Sequence, residues 1–258
     1  MDLPRIGLGT MGIEDASVIE TALELGYRHV DTAQIYANER VIGEGIAQSD
    51  VPRSALTVAT KVWADALAYD AVIESTHESL ERLGLDRVDL LYVHRPIETY
   101  DPEETLAAFE ELHQRGVIDH VGLSNFSLEE LEQAQSILDV PIGAHQVEFH
   151  PLFWDQQLLE HARANSYPLV AYSPLSGGRA GEIEAIQTVA EQYDETPERI
   201  SLAWVIAHEG VCAIPKASSP EHLEANRTVG DVADELATDH DARALIDGID
   251  RVEELYPE

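Results

Sequence analysis

The sequence predicts an α/β fold, a single (β/α)8 barrel that spans residues 1–258 as one domain. Short apolar or β-branched segments alternate with amphipathic helical segments along the chain, which is the rhythm of repeated βα units. No Pro-, Gly- or Ser-rich linker divides the chain, which favours one closed sheet over two open ones. The length of 258 residues is close to the roughly 250 typical of such a barrel.

Seven segments have the composition of strands, because apolar and β-branched residues dominate them and helical segments separate them. They are residues 29–33, 57–61, 90–94, 120–125, 144–149, 169–174 and 211–216. The eighth strand has no obvious candidate, and we expect it after Asn226, around residues 228–232.

The helices between these strands carry start and stop signals. Asp101 is a predicted N-cap, Pro102 the first helical position and Gly116 the stop of one helix. The segment 69–83 carries one apolar stripe and ends at Gly84, so it predicts a helix whose stripe faces the sheet.

The charge of the chain is unusual, because 49 acidic residues against 16 basic ones leave a formal net charge of −33. This excess disfavours nucleic acid as a partner. The hydrophobic content of 44% argues against disorder, so the carboxylates are predicted to cover a folded surface. Such a surface repels itself less in molar salt, where the Debye length is about 3 Å. The composition therefore predicts a halophilic protein.

Nothing in the sequence predicts a membrane or a secreted location. No apolar segment approaches the roughly 20 residues of a membrane helix, and no N-terminal targeting pattern is visible. Cys212 is the one cysteine, so no internal disulfide can form, and its apolar neighbours predict a buried, inert thiol. We expect a cytoplasmic monomer.

One motif favours a different fold. Gly7, Gly9 and Gly12 form G-x-G-x-x-G, and Asp31 follows at the distance of a Rossmann dinucleotide-binding fingerprint. That motif must follow a buried strand, and only six residues including Pro4 precede Gly7. A Rossmann-type dehydrogenase is therefore kept as an alternative.

Polar side chains stand where the predicted strands end, which is where the active site of such a barrel forms. Asp31, Lys61 and His94 end the first three predicted strands, and Tyr36 lies in the loop after the first. Strand alternation turns three valines the other way, towards the helices: Val30, Val58 and Val93. Each buried charge destabilises the fold by several kcal/mol unless it is paired. Three ionisable side chains at one barrel mouth are therefore better explained by a function than by the stability of the fold.

This set of side chains suits the reduction of a carbonyl group. A phenol protonates the developing alkoxide, but a free tyrosine with a pKa near 10 is a poor acid at neutral pH. A lysine ammonium held by a carboxylate would lower that pKa, and a histidine beside the carbonyl oxygen would orient it. Tyr36, Lys61, Asp31 and His94 supply these parts, with Tyr36 as the proton donor.

Several short motifs together resemble the aldo-keto reductase family, in the order that the family has them. They are GLGT (7–10), DTAxxY (31–36), TK (60–61), YVHRP (92–96), GLSN (122–125), YSPL (172–175) and IPK (214–216). The chain resembles short prokaryotic members of the family, such as the 2,5-diketo-gluconate and methylglyoxal reductases. The resemblance implies the barrel fold, a small carbonyl substrate and a nicotinamide cofactor.

The resemblance also implies roles for single residues. The catalytic tetrad falls on Asp31, Tyr36, Lys61 and His94. The cofactor contacts that it implies fall on Ser124, Asn125, Gln146, Tyr172, Ser173, Leu175, Ser176, Lys216, Ser218 and Asn226. Lys216 would bind the adenosine 2′-phosphate, which indicates NADP(H). NAD(H) stays possible, because His222 stands where the family often has arginine.

The predicted substrate pocket departs from the family pattern. Met11 and Arg95 stand where relatives often have aromatic residues, and Trp63 is the third residue predicted to line the pocket. A less aromatic pocket, open to small polar carbonyls, is expected.

Two other functions compete with the reductase. A nicotinamide-binding regulatory subunit could sense redox state with the same barrel. A metal-dependent barrel hydrolase would need a cluster of His and carboxylate ligands, and no such cluster is visible. His145 and His150 are five residues apart and point to opposite faces of a strand, so no metal site is predicted.

Overall fold

Eight parallel strands form one sheet in which the spatial order follows the chain order. A computed structural model describes residues 1–250 and Leu255; residues 251–254 and 256–258 of the predicted domain lie outside the described part. The strands are β1 (Leu8–Gly9), β2 (His29–Asp31), β3 (Thr57–Val62), β4 (Val88–Val93), β5 (Ile118–Ser124), β6 (Ile142–Glu148), β7 (Leu169–Tyr172) and β8 (Val211–Ala213).

Helices follow the strands, so the chain is built of βα units as predicted. They are α1 (Ala16–Glu24), α2 (Glu39–Gln48), α3 (Tyr69–Leu83), α4 (Pro102–Gln114), α5 (Leu128–Ile137), α6 (Gln156–Ala164), α7 (Glu184–Tyr193), α8 (Pro197–Ile206), α9 (Pro220–Arg227), α10 (Gly230–Thr238) and α11 (His240–Asp247). None of the helices within the described residues has the length and apolarity needed to cross a membrane.

The predicted helix signals are confirmed. α3 runs from Tyr69 to Leu83 and is capped by Gly84 with a φ of 66°. The Asp101 carboxylate caps α4 by accepting from the backbone N–H groups of Glu103 and Glu104.

The predicted place of the eighth strand is wrong. Thr228 caps the end of α9, and α10 begins at Gly230, so residues 228–232 hold no strand. The missing strand is β1, near the N-terminus. β1 pairs in parallel with β2 through Leu8 and Val30 and through Gly9 and Asp31. Two residues are too few to produce a periodic pattern, so this strand could not be recognised from apolar residues.

Two glycines of the G-x-G-x-x-G motif, Gly7 and Gly9, lie where β1 contacts the β8 region. The Gly7 N–H donates to the Ala213 carbonyl at 2.8 Å, and Gly9 forms a parallel bridge with Lys216. A Cβ atom at Gly9 would overlap the Ile214 carbonyl oxygen, so the close approach of β1 to β8 requires glycine there. The Rossmann alternative is wrong. A Rossmann sheet has a strand order that reverses at its middle, whereas the strands of this sheet follow one another in chain order.

The two faces of the sheet carry separate apolar clusters. Val30, Val58 and Val93 belong to the large cluster that includes the helices. A smaller cluster on the other face includes Tyr92 and Cys212. The predicted strand alternation is therefore confirmed. Burial raises the pKa of the Cys212 thiol, as expected for an inert cysteine.

Candidate active site

A cavity of about 590 Å³ opens where the carboxyl ends of the strands meet. Asp31, Tyr36 and His94 line it, and Lys61 lies beneath Tyr36. β2, β3 and β4 are neighbours in the sheet, so their ends bring together side chains that are 30 or more residues apart in sequence. The four residues of the predicted tetrad are thus one cluster.

Lys61 and Asp31 form a fully buried ion pair at the floor of this cluster. Their side chains are 0% and 1% exposed. The Lys61 ammonium donates to Asp31 Oδ1 and, at 2.8 Å, to the Thr32 carbonyl. Burial alone would lower the pKa of Lys61, but the Asp31 charge and hydrogen bonds to Asp31 and Tyr36 raise it above the ordinary value. The contacts with Asp31 and Tyr36 therefore favour the charged form of Lys61.

Tyr36 is held by a short 3₁₀ turn, Gln34–Tyr36. Gln34 fixes this turn from both sides, since its amide donates to the Ser79 hydroxyl and its carbonyl oxygen accepts from the Trp63 N–H. The Lys61 ammonium lies 5.4 Å from the centre of the Tyr36 ring and hydrogen-bonds its side chain. The phenol is thus positioned directly over a fixed positive charge.

His94 presents a neutral imidazole to the cavity. Its ring makes edge contacts with Trp63 at 4.9 Å and with Tyr36 at 6.0 Å between ring centres. Burial, then the charges of Lys61 and Arg95, lowers the pKa of His94 well below its usual value. A neutral imidazole can donate a hydrogen bond to an oxygen atom without adding charge to the site.

Amide side chains cover the next part of the cavity wall. Asn125, in a left-handed conformation with φ of 60°, donates to the His94 carbonyl at 2.9 Å and accepts from the Tyr172 hydroxyl at 2.9 Å. The Gln146 amide donates to Asp31 Oδ2 at 2.8 Å. Ser124 also lines the wall. These four residues therefore line one wall of the cavity.

The remaining predicted cofactor residues divide into two groups. Ser173, Leu175 and Lys216 line the cavity. Ser176, Ser218 and Asn226 do not line it: Ser176 is buried beside it, Ser218 is exposed two residues beyond Lys216, and Asn226 lies in α9. All three predicted pocket residues, Met11, Trp63 and Arg95, line the cavity.

The sequence reasoning missed several residues of the cavity lining. They are Gly9, Thr10, Ile35, Pro174, Gly177, Gly178, Ile214 and Pro215. Recognising β1 would have found Gly9 and Thr10, because they end that strand and follow it. The link between Gln146 and Asp31 had no local signal, since 115 residues separate the two.

Comparison with known proteins identifies one family. The sequence profile described as the Aldo/keto reductase family matches residues 5–243. Methylglyoxal reductase DkgB of Salmonella typhi is 37% identical over 258 residues, which cover 98% of this chain and 96% of the relative. Glyoxal reductase of Bacillus subtilis (strain 168) is 33% identical over 236 residues, which cover 90% of this chain and 84% of the relative.

A solved structure has the same fold over nearly its full length. The crystal structure of MGS-M4, an aldo-keto reductase enzyme from a Medee basin deep-sea metagenome library, superimposes with a TM-score of 0.92 at 32% sequence identity. The overlap covers 100% of this chain and 95% of that chain. The fold and the family assignment therefore rest on the whole chain and not on a single motif.

Proposed function

Because this chain belongs to the aldo/keto reductase family and is an oxidoreductase that reduces carbonyl groups, we propose that it reduces small aldehydes and ketones with NADPH, using Tyr36 as proton donor. The observation that carries this proposal is the buried ion pair of Lys61 and Asp31 directly below the Tyr36 phenol at the cavity floor. A purely structural ion pair needs no phenol above it and no cavity around it.

The residues present fit a nicotinamide cofactor. Ser124, Asn125 and Gln146 offer hydroxyl and amide groups suited to a carboxamide, and Tyr172 offers a ring beside them. The Ser176 hydroxyl is buried without a hydrogen-bond partner among the described residues, which suits a nearby phosphate oxygen. Lys216 supplies a cation at the rim for a phosphate monoester. When bound, the reduced nicotinamide supplies the hydride that the carbonyl carbon accepts.

Side chains of the protein itself supply the proton. His94 donates a hydrogen bond to the carbonyl oxygen and orients it towards the Tyr36 hydroxyl. Tyr36 gives its proton to the oxygen as negative charge develops there, and the Lys61 ammonium stabilises the tyrosinate that remains. Asp31 keeps Lys61 charged and in place. Solvent returns the proton to Tyr36 after the alcohol leaves.

Other features belong to the same proposal. The hydrogen bonds between the β1 and β8 regions support a closed (β/α)8 barrel that forms one domain. Lys216 supports a preference for NADP(H), and NAD(H) binds more weakly. The protein acts as a monomer in a cytoplasm of high salt, where its excess of carboxylates is screened.

Replacing Tyr36 tests the proposal. Tyr36→Phe is expected to lower kcat for a small aldehyde by about 10² to 10⁴, the usual effect of a positioned general acid, with little change in NADPH affinity. NADPH oxidation gives kcat, and protein fluorescence on titration gives the dissociation constant. Near wild-type turnover in Tyr36→Phe would refute the role of Tyr36. Absence of turnover in the wild type with NADPH bound would instead favour the redox-sensing subunit.

A further inference from the structure

Tyr92 is a buried phenol close to the active site that the proposed mechanism does not use. Its side chain is 0% exposed, and it is not among the described residues that line the cavity. Burial, then the negative charge of Asp31, raises the pKa of Tyr92 well above its ordinary value. Tyr92 is therefore neutral and out of reach of a substrate, so it is neither a second proton donor nor a binding residue.

The register of the sheet places Tyr92 directly beside Lys61. β3 pairs with β4 through Lys61 and Tyr92, and β4 pairs with β5 through Tyr92 and Gly122. Residues that are paired in register project their side chains to the same face of a sheet. A Cβ atom at Gly122 would overlap Cδ1 of the Tyr92 ring. Glycine at that position therefore leaves the space that the ring fills next to Lys61.

The Lys61 ammonium lies over the Tyr92 ring, 5.7 Å from the ring centre. An ammonium has three N–H donors, and here they meet Asp31, the Thr32 carbonyl and Tyr36. The ring therefore contributes no hydrogen bond. It contributes the negative electrostatic potential of an aromatic face, which attracts a cation within about 6 Å of the ring centre. Because the Lys61 side chain is fully buried, water screens this attraction little.

We propose that Tyr92 is a positioning residue of the active site, and that the face of its ring stabilises the Lys61 ammonium and holds it against the Tyr36 phenol. This inference rests on the proposed function, in which Lys61 stabilises the tyrosinate. A displacement of about 1 Å in an active site can lower a rate by about 10²-fold, so the position of the ammonium matters as much as its charge. A tyrosine that only filled space would have no effect on the charge of Lys61.

The pKa of Lys61 gives a test that needs no turnover. Lys61 and Lys216 are the two lysines of the chain, so protein with isotope-labelled lysine gives two Cε signals by NMR, and Lys216→Arg assigns them. The titration is done in Tyr36→Phe protein, because the Tyr36 phenol would titrate together with Lys61. Tyr92→Leu is expected to lower the pKa of Lys61 by about 0.4 to 1.5 pH units, the usual worth of one cation–π contact.

Matched variants separate the ring from its hydroxyl and from packing. Tyr92→Phe keeps the aromatic face and is expected to keep the pKa of Lys61 within about 0.2 pH units. Tyr92→Met has no ring but fills irregular space, so it should lower the pKa as Tyr92→Leu does, and it serves where that variant does not fold. Phe109→Leu is the packing control, because it removes a fully buried ring of α4 in the other apolar cluster and should leave the pKa of Lys61 unchanged.

The kinetics test the consequence for proton transfer. In protein that retains Tyr36, Tyr92→Leu is expected to lower kcat for a small aldehyde about 10-fold, because the ammonium is held less firmly against the phenol. The KM of the aldehyde and the dissociation constant of NADPH should stay within about 3-fold of wild type, since Tyr92 touches neither. Tyr92→Phe should restore kcat to near the wild-type value.

Three results would overturn the inference. The first is a pKa of Lys61 that Tyr92→Leu and Tyr92→Met leave unchanged, and the second is a pKa that Tyr92→Phe lowers as much as Tyr92→Leu does. The third is a lowered pKa with an unchanged kcat, which would refute the positioning role. A wild type that reduces no aldehyde would refute the proposed function instead, and the pKa of Lys61 would still decide whether the ring stabilises the ammonium.

Discussion

Breaking the ion pair of Lys61 and Asp31 should cost more stability than removing both charges together. Both side chains are fully buried, and the Lys61 ammonium has Asp31 as its one countercharge in the described structure. In Asp31→Asn the ammonium keeps the Thr32 carbonyl and loses that charge. An uncompensated buried charge destabilises a protein by about 3–5 kcal/mol. That is a large part of the roughly 5–15 kcal/mol that stabilises a typical domain.

The double variant Asp31→Asn/Lys61→Met removes the uncompensated charge. The asparagine introduced in place of Asp31 would still offer an oxygen to the Gln146 amide, which donates to Asp31 at 2.8 Å in the wild type. We therefore expect the double variant to be more stable than either single variant, with a coupling free energy of at least about 2 kcal/mol. The assay is urea unfolding in molar KCl, and kcat should fall in all three variants.

The pH dependence of the free energy of unfolding gives a second test of the ion pair. In the wild type the pKa of Lys61 is raised. The Lys61 charge therefore contributes fully to the free energy of unfolding at any pH below the ordinary lysine pKa, and this contribution is lost only as the pH rises above that value. In Asp31→Asn, burial is expected to lower that pKa, so stability should increase with pH up to about 10. The exposed pair of Arg87 and Asp119 is the control, with a coupling below about 1 kcal/mol. If the changes in the free energy of unfolding caused by the Asp31 and Lys61 substitutions were simply additive in the double variant, the reasoning would be refuted.

Three other predictions concern the cofactor, acid and salt. Lys216→Ala should weaken NADPH binding about 10-fold and leave NADH binding unchanged, as measured by fluorescence titration; equal weakening would contradict a phosphate contact. Burial lowers the pKa of His29 to about 4, His145 to about 3 and His208 to about 4. Their neutral forms stabilise the fold fully above about pH 6.5, so the free energy of unfolding measured with urea should fall as pH drops from about 7 to about 5, by up to about 1.4 kcal/mol per pH unit for each histidine; a constant free energy of unfolding would contradict this. Tm and kcat/KM for NADPH should both rise between about 0.1 M and above about 1 M KCl, and constant values would remove the high-salt interpretation.

Most of the fold was predictable because parallel strands buried by helices are continuous apolar segments. The seven predicted strands correspond to β2 to β8, with bounds that differ by a few residues. β1 was missed, since it has two residues, one of them Gly9. The glycines there are explained by the close packing of β1 on β8, a contact between the two ends of the chain that no local pattern contains.

The grouping of the site residues was predictable for a topological reason. In a parallel sheet all strand ends point the same way, so Asp31, Lys61 and His94 had to meet once the strands were placed. The hydrogen-bond pattern was not predictable. The links of Gln146 to Asp31 and of Lys61 to the Thr32 carbonyl depend on side-chain conformations and on which strands close the sheet.

The charge distribution connects the surface to the site. Each buried carboxylate of the described structure has a basic partner: Asp31 has Lys61, Glu39 has Arg82 and Glu148 has His150. The remaining excess of acid therefore lies on the surface and repels an anionic cofactor or substrate at long range. At molar salt this repulsion extends only about 3 Å, whereas the proposed contact of Lys216 with a cofactor phosphate, made at hydrogen-bond distance, would be screened far less. We therefore expect the proposed cofactor site, which lies within an acidic shell, to bind its anionic cofactor best in high salt.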